Sequence, residues 1–529
     1  MRKRTLALLI IVLILAGARP AQTGVWNPLA YAVVGQAGEW DKQHFTTIQA
    51  ALDSGATRII VRPGTYAESI TINTEGTTIE AQGAIIPNDG TTCAVTIAAP
   101  YVTIKGDLRI QGSSNGTVGG YYAGGTGFCI NASYAHLDGV KTSNLYSFAV
   151  LAHNTVDHIT LERFEFTHIC TAPTPRCYAN PAIQFMGSSY NTVRNGLVRG
   201  HSGALHTWYG ANHTQGHDNR FEQNYGFVGQ DGNYVPRAII ENYGLDSGNI
   251  GNRFYNNVMD GSNGSGLEEA DVTHETVFSG NTIRNVHSCF GVMGSADNKA
   301  HNITIESNTC YGNGTEQPSN WFSGSGWVRD NYFIDYIQNN IGTIYIPDNV
   351  HGDGVVITGN TFESNGRVTR LSGGNVTFAD NLIVNPQYGN AIYIDNGVTD
   401  IWIKDNRFRG DTGSQAINSN GASKLTITGN YIEGHLALLS GTSDSVVSGN
   451  EIHSSAWLGL AVPTRSIVRD NLIFNDGQAL YVDGAAITYS LVERNYYAML
   501  NGNANSTPPD CGTLNTCSGN WTAGQVPPP

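Results

Sequence analysis

The chain has 529 residues, of which 14% are charged, and its formal net charge at pH 7 is -14. An acidic surface repels phosphate backbones and anionic lipid headgroups, which argues against nucleic acid and anionic membranes as partners. The 63 glycines and 25 tyrosines are typical of a β-rich protein with many tight turns.

The chain begins with a basic head, an apolar run of about a dozen residues and the small residues Ala16-Gly17-Ala18, which together are typical of a secretory signal peptide. We assign the signal peptide to residues 1–21; an uncleaved N-terminal anchor is the alternative. The apolar run is short for a membrane span, and no later segment is apolar enough to be one. The protein is therefore expected to be secreted, extracellular or periplasmic, without an integral membrane segment after cleavage.

A short helix is the first predicted element after the signal peptide. Thr46 or Thr47 is its N-cap, and Ile48, Ala51 and Leu52 form one apolar face. Because a repeating β-structure leaves the core of its first coil open, this helix is predicted to act as an N-terminal cap.

From Val277 to Tyr497 the chain repeats one short phrase ten times, with an apolar residue three positions before an Asn and another two positions after it. The asparagines are 20 to 29 residues apart, a period typical of a solenoid. Alternating β-branched and aromatic residues predict two short strands joined at a bend. We expect each Asn to adopt the left-handed conformation and to form a ladder with its neighbours. These residues are Asn281, Asn308, Asn331, Asn360, Asn381, Asn406, Asn430, Asn450, Asn471 and Asn495.

No helical pattern separates these strands, so we predict an all-β fold: one coiled parallel sheet, not an alternation of strands and helices. The predicted boundaries are a linker at 22–40, the solenoid at 41–500 and a proline-containing tail at 501–529.

Eight cysteines in an exported chain permit four disulfides. Cys310 also falls in a predicted core column, so a buried free thiol is the alternative there. The candidate pairs are Cys93 with Cys129, Cys170 with Cys177, Cys289 with Cys310, and Cys511 with Cys517.

The segment TIQAALDSGATRIIVRPGTYAESITI, which starts at Thr47, resembles the N-terminal entry of the pectate lyase-like right-handed parallel β-helix superfamily. The Asn-turn repeats resemble its coils, and the resemblance extends from about Trp40 to Tyr497. It implies a right-handed parallel β-helix. The resemblance indicates the fold specifically but says little about activity. The superfamily includes lyases, glycoside hydrolases, esterases, epimerases and non-catalytic surface proteins.

In that superfamily the substrate groove lies along the outer face of one sheet. Here, strands that precede the Asn turns begin with a small residue and an aliphatic one, as in Gly266-Leu267, so the following residue should point outward. Long coils and clustered histidines place the predicted site between about His201 and His287. We interpret Tyr345, Tyr393 and Tyr481 as packing or wall residues.

Within this site we assign His206, Arg237, Glu268 and Tyr209 to catalysis, and Trp208, Gln184 and Asn242 to substrate binding. His206 and Glu268 are expected on one face, two coils and roughly 10 Å apart. Trp208 would form an aromatic platform for a sugar, and Arg237 is the strong cation beside the strand.

Glu241 and Glu269 are expected at equivalent positions in adjacent coils, where their carboxyl groups would approach to about 5 Å. Such a pair repels, which raises one pKa or recruits a cation such as Ca²⁺, the one cofactor that we expect. The same separation suits a retaining glycosidase. The alternative is a structural corner in which both carboxylates bind backbone groups.

These patterns and the resemblance favour a monomeric exported enzyme that cleaves an acidic polysaccharide by β-elimination. His206 or Arg237 would be the base, Ca²⁺ would neutralise the substrate carboxylate, and Tyr209 would be the acid. No Lys falls within the groove strands, which departs from the lyase pattern. Glycoside hydrolysis by a Glu pair, and a non-catalytic glycan-binding or structural surface protein, are the alternatives.

Overall fold

The structure is a computed structural model that describes most of the chain. The described residues are 31–35, 43–113, 125–152, 156–169, 182–200, 206–209, 216–227, 238–261, 265–293, 300–312, 320–336, 341–347, 354–386, 390–410, 415–439, 441–455, 458–461, 463–475, 478–481, 489–498 and 516–522. Within some strands only the backbone is described, at positions 206–209, 238–239, 241, 243–248, 269–272, 435, 437–439, 458, 478–481 and 522.

Within these residues the chain forms a parallel β-solenoid, as predicted. Each strand pairs in parallel with the equivalent strand of the next coil, and the coils build three sheets that we call sheets 1, 2 and 3. Two long strands, Thr78–Asn88 and Thr103–Gly112, pass through both sheet 1 and sheet 2.

The other strands of sheet 1 are Ala32–Val34, His44–Phe45, Arg58–Val61, His136–Asp138, Thr160–Glu162, Thr192–Arg194, Arg220–Glu222, Arg253–Tyr255, Val277–Ser279, Ile303–Glu306, Gly326–Arg329, Val355–Thr358, Val376–Ala379, Thr399–Lys404, Ser423–Thr428, Val446–Ser448, Ile467–Arg469, Leu491–Glu493 and Thr516–Ser518. Those of sheet 2 are Gly64–Thr65, Lys141–Leu145, Glu165–Ile169, Leu197–Arg199, Tyr225–Phe227, Val258–Asp260, Thr282–Arg284, Thr309–Tyr311, Tyr332–Ile334, Thr361–Glu363, Leu382–Val384, Arg407–Arg409, Tyr431–Glu433, Glu451–Ser454, Leu472–Asn475, Tyr496–Ala498 and Trp521–Thr522. Those of sheet 3 are Ile70–Ile72, Val95–Ile97, Phe128–Ile130, Val150–Ala152, Ile183–Met186, His206–Tyr209, Ala238–Ile250, Ser265–His274, Ser288–Met293, Asn320–Phe322, Ile344–Ile346, Thr369–Leu371, Asn390–Ile394, Gln415–Asn420, His435–Leu439, Leu458–Ala461 and Gln478–Tyr481.

The predicted asparagine ladder forms at the bend between sheets 1 and 2. Oδ1 of Asn360 accepts hydrogen bonds from the backbone N–H and the Nδ2 of Asn331, both at 2.9 Å. Nδ2 of Asn360 donates to Oδ1 of Asn381 at 3.0 Å and to the carbonyl oxygen of Val328 at 2.8 Å. The ladder runs from Asn224 to Asn520, so it is longer than the ten predicted positions. It satisfies buried backbone groups that the bend takes out of the sheets.

The expectation that each Asn adopts the left-handed conformation is wrong. The residue immediately before the ladder Asn has positive φ, for example Ser307 at 54°, Asp330 at 55° and Asp380 at 54°. That preceding residue turns the chain by itself, while the Asn keeps the strand geometry that directs its amide into the bend.

The two predicted apolar columns form the core inside the coils. All twenty of their side chains are at most 1% exposed. Phe333 and Phe362 of adjacent coils stack with ring centroids 5.1 Å apart, and Phe378 continues the stack at 6.2 Å. Apolar contacts between successive coils therefore stabilise the solenoid along its length.

The helix Ile48–Asp53 is the one helix among the described residues. Thr47 is its N-cap and accepts a hydrogen bond from the N–H of Ala50 at 3.2 Å. The carboxylate of Glu68 accepts from the first two helical N–H groups at 2.7 and 3.0 Å. The three apolar residues of the predicted face are buried.

The solenoid extends beyond both predicted boundaries. Ala32–Val34, within the predicted linker, pairs with Arg58–Val61 of the next coil. Thr516–Ser518 and Trp521–Thr522, within the predicted tail, pair with the preceding coil. At the C-terminal end, Asn520 continues the Asn repeat 25 residues after Asn495, a copy that the predicted boundary left out. No described helix is long and apolar enough to cross a bilayer.

Two of the predicted disulfides are present, Cys93–Cys129 and Cys289–Cys310, and each links adjacent coils. Cys310 is therefore a buried half-cystine and not a free thiol. Cys517 is disulfide-bonded, whereas Cys511, Cys170 and Cys177 lie outside the described residues.

Candidate active site

One register column of sheet 3 is the candidate site, and we call it the outward column. Ile183, Ile240 and Leu267 are in register and fully buried in the core, so the residue after each belongs to the opposite face of the sheet. From the N-terminal coil onward, the column consists of Thr71, Thr96, Cys129, Leu151, Gln184, Thr207, Glu241, Glu268, Gly291, Trp321, Tyr345, Arg370, Tyr393 and Asn418.

Three of the predicted site residues, Gln184, Glu241 and Glu268, occupy this column. Gln184 is 3% exposed, and its Oε1 accepts no hydrogen bond. Glu268 is 1% exposed. Their position in the outward column agrees with the sequence pattern, but the side chains of Gln184 and Glu268 are buried in the middle of the column and not open to solvent.

The register corrects the predicted position of His206. Its partners are Ile183 and Ile240, so it stands one column before Glu268 and does not share its face. The pattern Ala204-Leu205 suggested a strand starting earlier, whereas the first strand residue is His206 itself. Tyr209 stands two positions beyond the outward column, in register with Met186. Arg237 lies outside the described residues, as do the side chains of His206 and Tyr209.

The predicted binding role of Asn242 is also wrong, because its side chain lies inside the coil. Asn242 is fully buried, and its Oδ1 accepts from Nδ2 of Asn249 at 2.8 Å and from Nδ2 of Asn252 at 3.1 Å. Trp208 has the same register position as Asn242, and its side chain lies outside the described part of the structure. Asn242 therefore belongs to the hydrogen-bonded interior of the bend.

The predicted pairing of Glu241 with Glu269 is off by one residue. Glu241 is the direct register partner of Glu268, whereas Glu269 pairs with Asn242 and Val292 in an inward column. The side chains of Glu241 and Glu269 lie outside the described residues. The residues proposed for Ca²⁺ thus occupy different columns, and the adjacent glutamates of the outward column are Glu241 and Glu268. The Ca²⁺ site stays a prediction.

Gly291 leaves a gap in the outward column between Glu268 and Trp321. Among the described residues, a side chain at Gly291 would meet Oγ of Ser265, 3.4 Å from its Cβ position. Ser265 and Ser288 are hydrogen-bonded through their hydroxyls at 2.7 Å beside this position. Two coil spacings separate Glu268 from Trp321, roughly 10 Å, and Gly291, itself buried, is the residue without a side chain between them.

An aromatic and basic surface follows the gap, and we call its four column residues, Trp321, Tyr345, Arg370 and Tyr393, the aromatic–arginine run. Trp321 is 40% exposed and meets the ring of Tyr345 edge-on at 4.8 Å. The guanidinium carbon of Arg370 lies 5.8 Å from the ring centroid of Tyr345 and 6.0 Å from that of Tyr393. Arg370 thus lies between two aromatic rings.

A second arginine makes this surface locally positive. Arg370 donates to both carboxylate oxygens of Asp395, at 2.9 and 3.2 Å, and this pairing raises the pKa of Arg370. Ser372 also donates to Asp395. The guanidinium carbon of Arg367 lies 4.6 Å from the ring centroid of Tyr393. Two guanidinium groups thus stand beside one carboxylate, in a chain whose overall charge is negative.

Asn418 follows Tyr393 in the outward column. Its side chain is 7% exposed, and its Oδ1 accepts no hydrogen bond, while its Nδ2 donates to Gln415. A buried amide oxygen without a donor is costly unless a ligand supplies one.

The sequence prediction missed Trp321, Arg367 and Arg370, and it read Tyr345 and Tyr393 as wall residues. Their strands begin with Asn320, Ile344 and Thr369, which break the small-plus-aliphatic pattern used to find the column. Counting back 10 to 15 residues from each ladder Asn would have found these positions.

Another cluster, on the outer face of sheet 1, resembles a metal site only by composition. Ligand atoms of His136, Asp138 and Glu162 lie within 4.8 Å of one another. Arg163 forms an ion pair with Asp138, and Arg194 pairs with Glu162 at 2.7 Å. Because each carboxylate is already neutralised, this cluster is an ion-pair network.

Comparison with known proteins agrees with the solenoid. Residues 342–508 match the sequence model of the family described as a right handed beta helix region. No curated protein sequence matches the chain.

Three solved structures are similar to the chain at low identity. ORF18 of Geobacillus virus E2 is 12% identical with a TM-score of 0.40; the match covers 61% of this chain and 59% of that one. An exopolygalacturonase from Thermotoga maritima is 10% identical with a TM-score of 0.33, and the match covers 71% of this chain and 88% of that one. A tailspike mutant of E. coli bacteriophage HK620, in complex with a pentasaccharide, is 9% identical with a TM-score of 0.40, over 90% of this chain and 75% of that one.

Proposed function

The chain is a parallel β-helix protein, and we propose that it is a carbohydrate-active enzyme that binds a polysaccharide along the outward column of sheet 3. The observation that carries this proposal is the aromatic–arginine run. Trp321 and Tyr345 offer ring surfaces, and Arg370 offers hydrogen-bond donors, on successive coils of one face. Apolar ring faces beside a few fixed polar groups are what a sugar chain needs from its binding site.

We further propose that the cleavage point lies at the N-terminal end of this run, at the gap above Gly291. Glu268 and Glu241 are register partners in adjacent coils, where the strand spacing is about 4.8 Å. A retaining glycosidase uses two carboxyl groups about 5 Å apart, one as acid and base and the other as nucleophile. Glu241 and Glu268 are one strand spacing apart along the backbone, so hydrolysis is the chemistry that we favour.

The second candidate reaction is β-elimination from an acidic polysaccharide. The two guanidinium groups of Arg367 and Arg370 favour it, because elimination next to a uronate requires a cation that neutralises the carboxylate. Tyr345 and Tyr393 flank Arg370 and could donate a proton to the leaving oxygen. In this version Arg370 neutralises the uronate carboxylate, Arg367, whose pKa is lowered by burial, takes the proton beside it, and a tyrosine protonates the leaving oxygen. These residues replace His206, Arg237 and Tyr209, which were expected from the sequence.

We place this activity outside the cytoplasm. Two disulfides between adjacent coils support that placement, because disulfides persist in oxidising compartments. They agree with the signal peptide expected at residues 1–21.

The test follows two products on a panel of neutral and acidic polysaccharides. Hydrolysis releases reducing ends without new ultraviolet absorbance, whereas β-elimination produces an unsaturated sugar that absorbs. Glu268→Gln should lower the hydrolytic rate by roughly a hundredfold or more, since it removes an acid–base group while keeping the side-chain shape.

The matched control is Glu306→Gln on the outer face of sheet 1, where Glu306 pairs with Arg329 at 2.6 Å. That variant should retain full activity. Elimination products, with Glu268→Gln fully active, would favour the second reaction. Glycan binding without any product would mean a non-catalytic protein.

A further inference from the structure

We propose that Arg367 and Arg370 form an anion subsite that binds a carboxylate or sulfate group of an acidic glycan, well away from the cleavage point at Glu268. This inference rests on the proposed binding of a polysaccharide along the outward column. It adds the class of substrate to the hydrolytic proposal: an acidic glycan long enough to reach from Glu268 to Arg370.

The orientation of Arg370 is fixed before any ligand arrives. Its Nε and one terminal nitrogen donate to the two carboxylate oxygens of Asp395. A guanidinium has five N–H donors, so this pairing leaves others for a ligand. The rings of Tyr345 and Tyr393 hold the guanidinium from both sides along the column. Little side-chain entropy is lost when such a fixed group binds an anion.

The charge balance favours an added anion. Burial, and secondly the neighbouring Arg370, lowers the pKa of Arg367. The site thus destabilises one of its own positive charges, and Asp395 is the one described carboxylate that faces the pair. A carboxylate or sulfate bound between the two guanidinium groups would relieve their repulsion and form charge-assisted hydrogen bonds.

The neighbouring residues suit the rest of a sugar unit. Trp321 and Tyr345 supply ring surfaces on the N-terminal side of Arg370. On the C-terminal side, the buried Oδ1 of Asn418 has no donor and would accept one from a sugar hydroxyl. Apolar, charged and hydrogen-bonding groups thus follow one another on consecutive coils.

The distance from the cleavage point sets a length requirement. Four coil steps separate Glu268 from Arg370, through Gly291, Trp321 and Tyr345, or about 19 Å at the strand spacing. A glycan must extend over several sugar units to occupy both ends. Short oligosaccharides would be cleaved without help from the subsite, and long ones with it.

The experiment measures binding of the purified protein to polygalacturonate, dextran sulfate and uncharged dextran by titration calorimetry at low and physiological salt. Polygalacturonate carries carboxylates and dextran sulfate carries sulfates, so the two separate the sources of the anion. Arg370→Ala and Arg367→Ala should each weaken binding of at least one anionic glycan about tenfold or more, because charge-assisted bonds are lost. Arg370→Lys keeps the charge but not the planar fork and should restore only part of the affinity.

Arg407→Ala is the matched control. Arg407 also stacks on a tyrosine, with its guanidinium carbon 5.1 Å from the ring centroid of Tyr431, but in sheet 2. This variant should bind as the wild type does, and thermal unfolding of all variants checks that they are folded.

Three outcomes would overturn the inference: no binding of either anionic glycan at low salt, equal affinity for dextran and dextran sulfate with no binding of polygalacturonate, or unchanged affinity in both alanine variants. If only the proposed enzyme function is wrong, the result differs: binding of the anionic glycan would still depend on the two arginines, but no cleavage product would form. Where cleavage is detected, Arg370→Ala should raise the KM for the polymer and leave that for a disaccharide or trisaccharide unchanged.

Discussion

The asparagine ladder and the outward column run along the same solenoid, yet they differ in sequence from end to end. The ladder has the same residue from Asn224 to Asn520, because each amide bonds the next in the same way. The outward column changes at almost every coil, from a buried glutamate through a glycine to exposed aromatic and basic residues. Repetition marks what the fold needs, and departures from repetition mark the face available for recognition.

The largest effect is expected from breaking the ladder at Asn360. Asn360→Ala removes the acceptor of the buried N–H and amide of Asn331. It also removes the donors to Val328 and Asn381. Since each buried polar group left without a partner costs about 1–3 kcal/mol, the free energy of unfolding should fall by roughly 3 kcal/mol. Urea denaturation followed by circular dichroism measures the change.

Asn396→Ala is the control for this prediction, because Asn396 is exposed and lies outside the ladder. Its substitution should change the free energy of unfolding by less than about 0.5 kcal/mol. Equal losses in the two variants would mean that the ladder does not stabilise the coils.

The next effect concerns two glycines of sheet 3 that face opposite sides. Gly291→Val adds a side chain to the outward column between Glu268 and Trp321, where, among the described residues, its Cβ would be in ordinary contact with Oγ of Ser265 at 3.4 Å. We expect normal stability and a kcat/KM at least about tenfold lower, because the substrate is displaced from Glu268. Steady-state kinetics on the best polysaccharide of the panel provides the measurement.

Gly266→Val is the structural counterpart. Its Cβ would stand 2.6 Å from the carbonyl oxygen of Cys289 and 2.9 Å from the side chain of Ile283. This variant should therefore lose stability, as overpacked cores do. A stable Gly266→Val variant, or a fully active Gly291→Val variant, would contradict the conclusion that Gly266 faces the core and Gly291 faces the substrate.

A smaller effect is expected at Trp321, which is 40% exposed in the outward column. Trp321→Ala should weaken polysaccharide binding about tenfold, since it removes a ring surface but little buried area. Trp327 is 39% exposed on sheet 1 and is the matched control. Trp327→Ala should bind glycan normally; if both variants bind equally well, the aromatic–arginine run is not the binding surface.

The same comparison explains how much the sequence could predict. The ladder, the two core columns and the linking cysteines follow local rules that repeat, so their positions could be read directly. Whether Glu241 faces Glu268 or Glu269 depends on a register shift of one residue. The sequence has two consecutive aliphatic residues, Ile239 and Ile240, and either fits the inward position, so only the observed pairing of Ile240 with Leu267 decides the register.

The aromatic–arginine run was missed for a related reason. Its residues come from strands with polar or bulky first residues, such as Asn320 and Thr369, and no two of the coils share a motif. Only the pairing of Trp321, Tyr345 and Arg370 across three coils brings them together. Sites assembled from single residues of different repeats leave no periodic signal.

The smallest effect tests whether repetition alone implies stability. Exposed Asp–Arg pairs recur between coils, including Asp444 with Arg465 and Asp470 with Arg494. The hydrogen bond from Arg465 lowers the pKa of Asp444 to about 2. Because the folded-state pKa is depressed, the stabilisation is present above the unfolded value of 3.8 and is lost as the pH falls toward 2.

Asp444→Asn should therefore lower the urea midpoint only slightly at pH 7, and the difference from the wild type should vanish near pH 2. Solvent screening keeps the effect far below that of Asn360→Ala, although both positions repeat along the solenoid. If Asp444→Asn lowered the free energy of unfolding as much as Asn360→Ala does, repetition and not burial would determine how much a column contributes to stability.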